Sequence, residues 1–289
     1  MIQEKMITNT PEPQTVDEIR NALYQLQFSI CKIFRANGTG FFCYIPYENI
    51  FLKVLMTNYH VIDEKFLKTN DNIKIGINDE KYFNDINLNV NRKIYLNKEY
   101  DLTIIEIKDK DNLNANIAFL CLDDKIFQRN SDAIFSTQKS IYILQYPNLG
   151  KARVSWGIIK SVDRIEIKHL CSTEHGSSGS PILYKQTNKV IGIHKGHSRF
   201  NFNLGTFLKT PLKQLYQNHE MKPLYQIKNN NNFNNFNQFS NNFTYNMINN
   251  VLFNNRNNNP NFNRQSNIIA QEQSGNKYKN NNQNYNKCF

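Results

Sequence analysis

Cysteine is scarce in this chain. Five are spread over 289 residues, Cys31, Cys43, Cys121, Cys171 and Cys288, with no CxxC pair and no zinc-ligand spacing to a histidine. An odd, scattered set excludes a disulfide-stapled scaffold and supplies no metal site. Long apolar runs are also missing. Nothing approaches the roughly 20 residues needed to span a bilayer, and the opening "MIQEKMITNTPEPQ" lacks the apolar core of a signal peptide. A reducing, cytoplasmic location with no membrane partner is therefore expected, in which the N-x-S/T matches at Asn37 and Asn242 carry no meaning. Basic residues outnumber acidic ones by 35 to 24, yet there is no basic block. Arg256, Arg264, Lys277, Lys279 and Lys287 against Glu272 account for part of the excess in the last 61 residues, leaving +7 spread over the rest. Without a clustered stripe, a specific nucleic-acid reader is not expected.

What is present is a patterned body and an unpatterned end. Of the 61 residues from Asn229 onward, 26 are Asn, with Phe and Tyr scattered among them. This composition buries little apolar surface and is expected to be disordered, with self-association as one possible role. Before it, "VDEIRNALYQLQ" (16–27) has helical spacing at Ile19, Leu23 and Leu26. Short runs rich in Ile, Val, Phe and Tyr then follow in two groups: "FSICKIF", "GFFCYI", "FLKVLMTNYHVI", "NIKIGI", "RKIYL" and "LTIIEI", then "AFLCL", "SIYILQY", "ARVSWGIIKSV", "RIEIKHL", "SPILY", "KVIGIHKG" and "NFNLGTFL". No helices alternate with them, so the periodicity predicts an antiparallel, all-β sandwich or pair of barrels. "TPLKQLYQNH" (210–219) reads as a closing helix with Thr210 as N-cap and Pro211 at its first position.

One stretch breaks the pattern. His175-Gly176-Ser177-Ser178-Gly179-Ser180-Pro181 has the composition of a flexible linker but lies among predicted strands. Two other polar residues also sit at strand ends: His60 closes an apolar run in "LMTNYHVID", and Asp101 opens an alternating one in "EYDLTIIEI". A serine, a neutral imidazole and a carboxylate that fixes its tautomer make up the apparatus of nucleophilic acyl transfer. Each residue alone is more commonly a turn or surface residue.

Together the segments resemble the chymotrypsin-like serine peptidases, whose order is His, Asp, Ser. Gly176 through Pro181 is similar to G-x-S-G-[GS]-P at every fixed position, Thr57 through Val61 to T-[AN]-x-H-[VC], "DLTIIEI" to D-[LI]-[AT]-[LV]-[LI], and "GTGFF" (38–42) to G-[ST]-G-F. The likeness covers about residues 28–218. It implies two antiparallel six-stranded β-barrels, 28–125 carrying His60 and Asp101 and 126–222 carrying Ser178 and the closing helix, between a lead-in at 1–27 and the tail at 223–289. It also implies a serine endopeptidase acting on protein or peptide substrates without a cofactor or metal. Ser178, rather than Ser177 or Ser180, is its nucleophile, with the N–H groups of Gly176 and Ser178 as oxyanion donors. Each such donor is typically worth about 3 kcal/mol in the transition state. Ser177 stands where activated secreted relatives carry an Asp, and Val61 where they carry a disulfide cysteine, so neither that activation nor that bridge is implied.

"VIGIHKG" (190–196) further resembles glutamyl endopeptidases and viral enzymes that cut after Gln. This resemblance implies that His194 and Thr173 contact a Glu or Gln side chain, although a hydrogen-bonded core histidine and an ordinary loop hydroxyl fit the same residues. His175 and His197 read as solvated, and Trp156 as core. The alternative to an enzyme is an inactive protease-like module that binds peptides; retention of all three triad members weighs against it.

Overall fold

The broken apolar runs form fifteen strands in the computed structural model, which describes residues 10–229 except 49, 90, 114, 115 and 219. The first group comprises β1 (Ile30–Ile33), β2 (Gly38–Tyr47), β3 (Ile50–Thr57), β4 (Asn72–Ile77), β5 (Tyr82–Asn87), β6 (Lys93–Asn97), β7 (Leu102–Glu106) and β8 (Leu120–Cys121). The second comprises β9 (Ser140–Gln145), β10 (Arg153–Val162), β11 (Glu166–His169), β12 (Pro181–Tyr184), β13 (Lys189–His197) and β14 (Asn203–Phe207), with β15 (Lys222–Pro223) at the end. The second group closes into a six-stranded barrel in the order β10-β11-β14-β13-β12-β9. The first is a nine-stranded sheet in the order β15-β6-β7-β3-β2-β1-β4-β5, with β8 added in parallel beside β2. The fold is thus mostly β, with one closed six-stranded barrel where two were expected and a larger sheet in place of the other. The three extra strands are β5, whose sequence YFNDIN is too polar to read as an apolar run, β8, which is the run "AFLCL" joined to the first sheet instead of the second group, and the two-residue β15.

Period-two alternation explains how the halves share a core. Phe41, Cys43 and Ile45 of β2, Val54 and Met56 of β3, and Leu102 and Ile104 of β7 pack with barrel residues such as Ile143, Ile182 and Ile193. The alternate residues Phe42, Leu55 and Ile105 turn to a second cluster with Ile33, Ile62, Ile75 and Ile86. Burial on both faces is why these central strands read as unbroken apolar runs.

The lead-in helix spans Val16–Phe28 and starts with a capping box in which Thr15 and Glu18 satisfy each other's backbone N–H groups. The closing helix, Lys209–Asn218, starts two residues before the expected first position at Pro211. Thr210 is therefore not its N-cap; its hydroxyl donates to the Arg164 carbonyl. Pro211 still lies in the first turn, where its missing N–H costs nothing. The expected tail boundary at 223 also shifts. Residues 222–229 return to the first sheet: β15 pairs with β6, the Leu224 N–H donates to the Arg92 carbonyl at 2.9 Å, and Leu224 and Ile227 are buried in the second cluster. Asn-rich residues 230–289, to which disorder and self-association were assigned, lie outside the described residues. No helix among the described residues is long and apolar enough to cross a membrane.

Candidate active site

β3 and β7 run antiparallel with Thr57 opposite Thr103. The residue three beyond the end of β3 and the residue just before β7 therefore meet at one end of the sheet. These are His60 and Asp101. The His60 Nδ1 is 2.7 Å from Asp101 Oδ2, and the His60 backbone N–H donates to Oδ1 at 2.9 Å. Asp101 sits in the left-handed region at φ 51°, which Asp tolerates better than most residues. The buried Asn58 supports it from behind, its Nδ2 donating to the Asp101 carbonyl at 2.9 Å. With Nδ1 engaged by the carboxylate, His60 presents Nε2 on the half-exposed side of its ring.

The nucleophile loop reaches the same place from the barrel side, immediately before β12. Thr39 on β2 grips it: its N–H donates to the Ser178 carbonyl at 2.9 Å and its hydroxyl to the Gly176 carbonyl at 2.8 Å. A Cβ placed on Gly38 would lie 2.7 Å from Val61, the residue after His60, and 3.2 Å from the Ser178 carbonyl, so the two segments are immediate neighbours. Two glycines are required here. Gly179 has φ 89°, and a Cβ on it would fall 2.0 Å from the Thr39 carbonyl; Gly176 has φ 85°, with the Tyr146 carbonyl 2.8 Å from the corresponding point. Both conformations are open to glycine at little cost.

Of the three serines, only Ser178 is partly exposed. Ser177 is buried and its Oγ accepts the Glu174 N–H at 3.2 Å, while the Ser180 hydroxyl is buried without a partner among the described residues. The Ser178 Oγ makes no hydrogen bond to His60 in this structure, as is common for catalytic contacts that tighten only with substrate bound. Among the described residues, the N–H groups of Gly176 and Ser178 donate to no protein acceptor, leaving two donors free beside Ser178.

Next to the loop is a cavity of about 350 Å³ whose walls include His169, Cys171, Ser172, His197, Phe202 and Asn203. Thr173 and His194 are not in its lining. Instead His194 is buried behind His169, with His169 Nε2 at 3.3 Å from His194 Nδ1. The Cys171 N–H donates to His169 Nδ1 at 3.3 Å, so a neutral His169 carries its proton on Nε2 and gives it to His194 Nδ1. His194 in turn holds its own proton on Nε2. Burial, followed by the nearby His194, pushes the His169 pKa well below its ordinary value. Burial, only partly opposed by the Leu204 backbone, brings His194 down to about 4.

Both rings are thus neutral in the native protein near neutral pH, whereas in the unfolded chain they take up protons below about pH 6.5. The unfolded state binds more protons there, so stability falls as the pH drops, by about 3 kcal/mol from His194 alone at pH 4. Urea titrations of His194→Gln at pH 7.5 and pH 4.5 should show a smaller loss on acidification than the wild type. An equal loss in both proteins would contradict this assignment.

Sequence motifs named His60, Asp101, Gly176 and Ser178 but missed Thr39, Asn58 and His169. The first two lay within quoted motifs, as the second residue of "GTGFF" and the second of "TNYHV"; His169 had no local signal.

A family model described as "Trypsin-like peptidase domain" matches residues 38–193. Among solved structures, the serine endoprotease from Yersinia pestis aligns at 15% identity, covering 76% of this chain and 69% of its own, with a TM-score of 0.49. The inactive form of the Rv3671c protease aligns at 17% identity, covering 73% and 98%, also at 0.49. No curated protein sequence matches.

Proposed function

The chain belongs to the trypsin-like peptidase family and is a serine endopeptidase by class, and we propose that His60, Asp101 and Ser178 are its catalytic triad. The observation that carries this reading is the two-point hold of Asp101 on His60, through Nδ1 at 2.7 Å and the backbone N–H at 2.9 Å. It fixes the tautomer that leaves Nε2 as a base. In the reaction Ser178 Oγ attacks the scissile carbonyl carbon as His60 Nε2 takes the hydroxyl proton. The carbonyl oxygen, now negative, accepts from the N–H groups of Gly176 and Ser178. His60 then passes the proton to the amine nitrogen, which leaves. Water, deprotonated by His60, attacks the resulting ester, and collapse regenerates the Ser178 hydroxyl.

The residue before the scissile bond is proposed to be Glu or Gln. The cavity carries polar side chains at Ser172, His197, Ser198, Asn201 and Asn203, with the Thr173 hydroxyl one residue from the Ser172 wall, while the His169 N–H is already directed at His194. An oxygen acceptor satisfies the donors of such a pocket, whereas an apolar side chain leaves them unpaired, a difference that can reach about 10⁴-fold in kcat/KM. Profiling cleavage of a peptide library by the full chain should give Glu or Gln before the cut. A preference for Arg, Lys or Phe would overturn the pocket assignment while leaving the triad standing.

A further inference from the structure

The N–H of Gly176 belongs to the same planar unit as the carbonyl of His175, and the two point in opposite directions. Whatever holds the His175 carbonyl therefore aims the Gly176 N–H. That carbonyl accepts the backbone N–H of Asn148 at 2.5 Å. Asn148 can donate there because it lies in the left-handed region, φ 50° and ψ 26°, in the turn Pro147–Leu149. Its side-chain Nδ2 also donates to Glu174 Oε2 at 2.7 Å, so one residue holds the loop at two successive positions before Gly176.

The turn is itself tied at both ends to the first sheet. The Tyr146 N–H donates to Thr39 Oγ1 at 3.2 Å, and the Ala152 N–H to Asp79 Oδ1 at 2.6 Å. Asp79 is in the hairpin tip between β4 and β5, where Asn78, Asp79 and Glu80 all have positive φ, at 52°, 54° and 67°. The tip is held in turn by an ion pair between Glu80 and the buried Lys32 of β1.

We propose that Asn148 is a positioning residue for the oxyanion site: it locks the His175–Gly176 peptide with the Gly176 N–H facing the reacting carbonyl, and Asp79 holds the turn that carries it. This rests on the reading of Gly176 as an oxyanion donor. In a chain with Ser177 next to that glycine, the contact from the 146–152 turn is what orients the peptide.

The test uses the full-length protein. Asn148→Val places a β-branched residue where left-handed backbone is needed. Loss of one aimed donor typically costs about 10²–10³-fold, so partial loss should lower kcat by about 10–100-fold with KM within about twofold. The inhibition constant of a substrate-like peptide aldehyde, whose adduct with the serine presents an oxyanion, should rise in step. Asn148→Gly keeps the N–H and adopts the left-handed conformation freely, so it should recover most of the activity. Asp79→Ala alters an exposed side chain and should shift kcat and aldehyde affinity together in the same direction, which keeps the proposal testable if Asn148→Val does not fold. Wild-type kcat and aldehyde affinity in both Asn148→Val and Asp79→Ala would overturn it, as would a loss in Asn148→Gly as large as in Asn148→Val. Failure of the underlying reading looks different: the wild type would then bind the aldehyde no more tightly than the matching peptide alcohol.

Discussion

Hydrolysis of a peptide substrate by the Ser178→Ala variant should fall on the order of 10⁶-fold in kcat, the scale of loss when the serine of such a triad is removed. The fold should survive the change, because among the described residues the Ser178 hydroxyl makes no hydrogen bond and only its backbone carbonyl is used, by the Thr39 N–H. Thermal melting and kcat should therefore separate cleanly, one nearly unchanged and the other lost. Neither neighbouring serine can take over. Ser177 and Ser180 are fully buried, and the Ser177 Oγ is occupied by the Glu174 N–H. A Ser178→Ala variant that cleaves at the wild-type rate would overturn both the choice of serine and the mechanism.

The second large effect is expected at Asp101. Asn is nearly the same size as Asp, but the local hydrogen bonds decide how it must sit. The His60 backbone N–H requires an acceptor at the Oδ1 position, so the amide oxygen of Asp101→Asn goes there and the amide NH₂ faces His60 Nδ1. Nδ1 then becomes an acceptor, the ring proton moves to Nε2, and the base is lost. A drop of about 10⁴-fold in kcat is expected near neutral pH, with KM and melting temperature close to wild type. Steady-state kinetics with a chromogenic peptide measures it. A loss of less than tenfold would mean that Asp101 does not set the tautomer of His60.

Chemistry that demands a particular local backbone was legible in the sequence. Gly176 and Gly179 need positive φ, Ser178 must project between them, and His60 and Asp101 must lie just outside paired strands. All of these leave marks within a few residues of chain. Partners from distant segments left no mark. Thr39 reaches Gly176 across 137 positions, and Asn148 reaches Glu174 across 26 and works through its backbone conformation. His169 meets His194 only because β11 and β13 both flank β14 in the barrel. Strand count failed for a related reason: β5 (YFNDIN) and the two-residue β15 exist through pairing with β4 and β6 rather than through an apolar pattern, and β8 pairs with β2 of the other group. The end of the folded part was misplaced because Leu224 and Ile227 stand in an already polar stretch, and only their burial against β6 and its neighbours makes them core.

The triad assignment is tested most directly by treating the purified full-length protein with a fluorophosphonate probe and locating the adduct by mass spectrometry after digestion. The probe phosphonylates an activated serine hydroxyl and expels fluoride, so it reports the nucleophile, its base and the oxyanion donors in one step. A single adduct on Ser178, absent from Ser178→Ala and strongly slowed in Asp101→Asn, is the expected result. Labelling at Ser177 or Ser180, or a folded wild-type protein that takes up no probe, would contradict the assignment; the latter would leave a protease-like domain without protease chemistry.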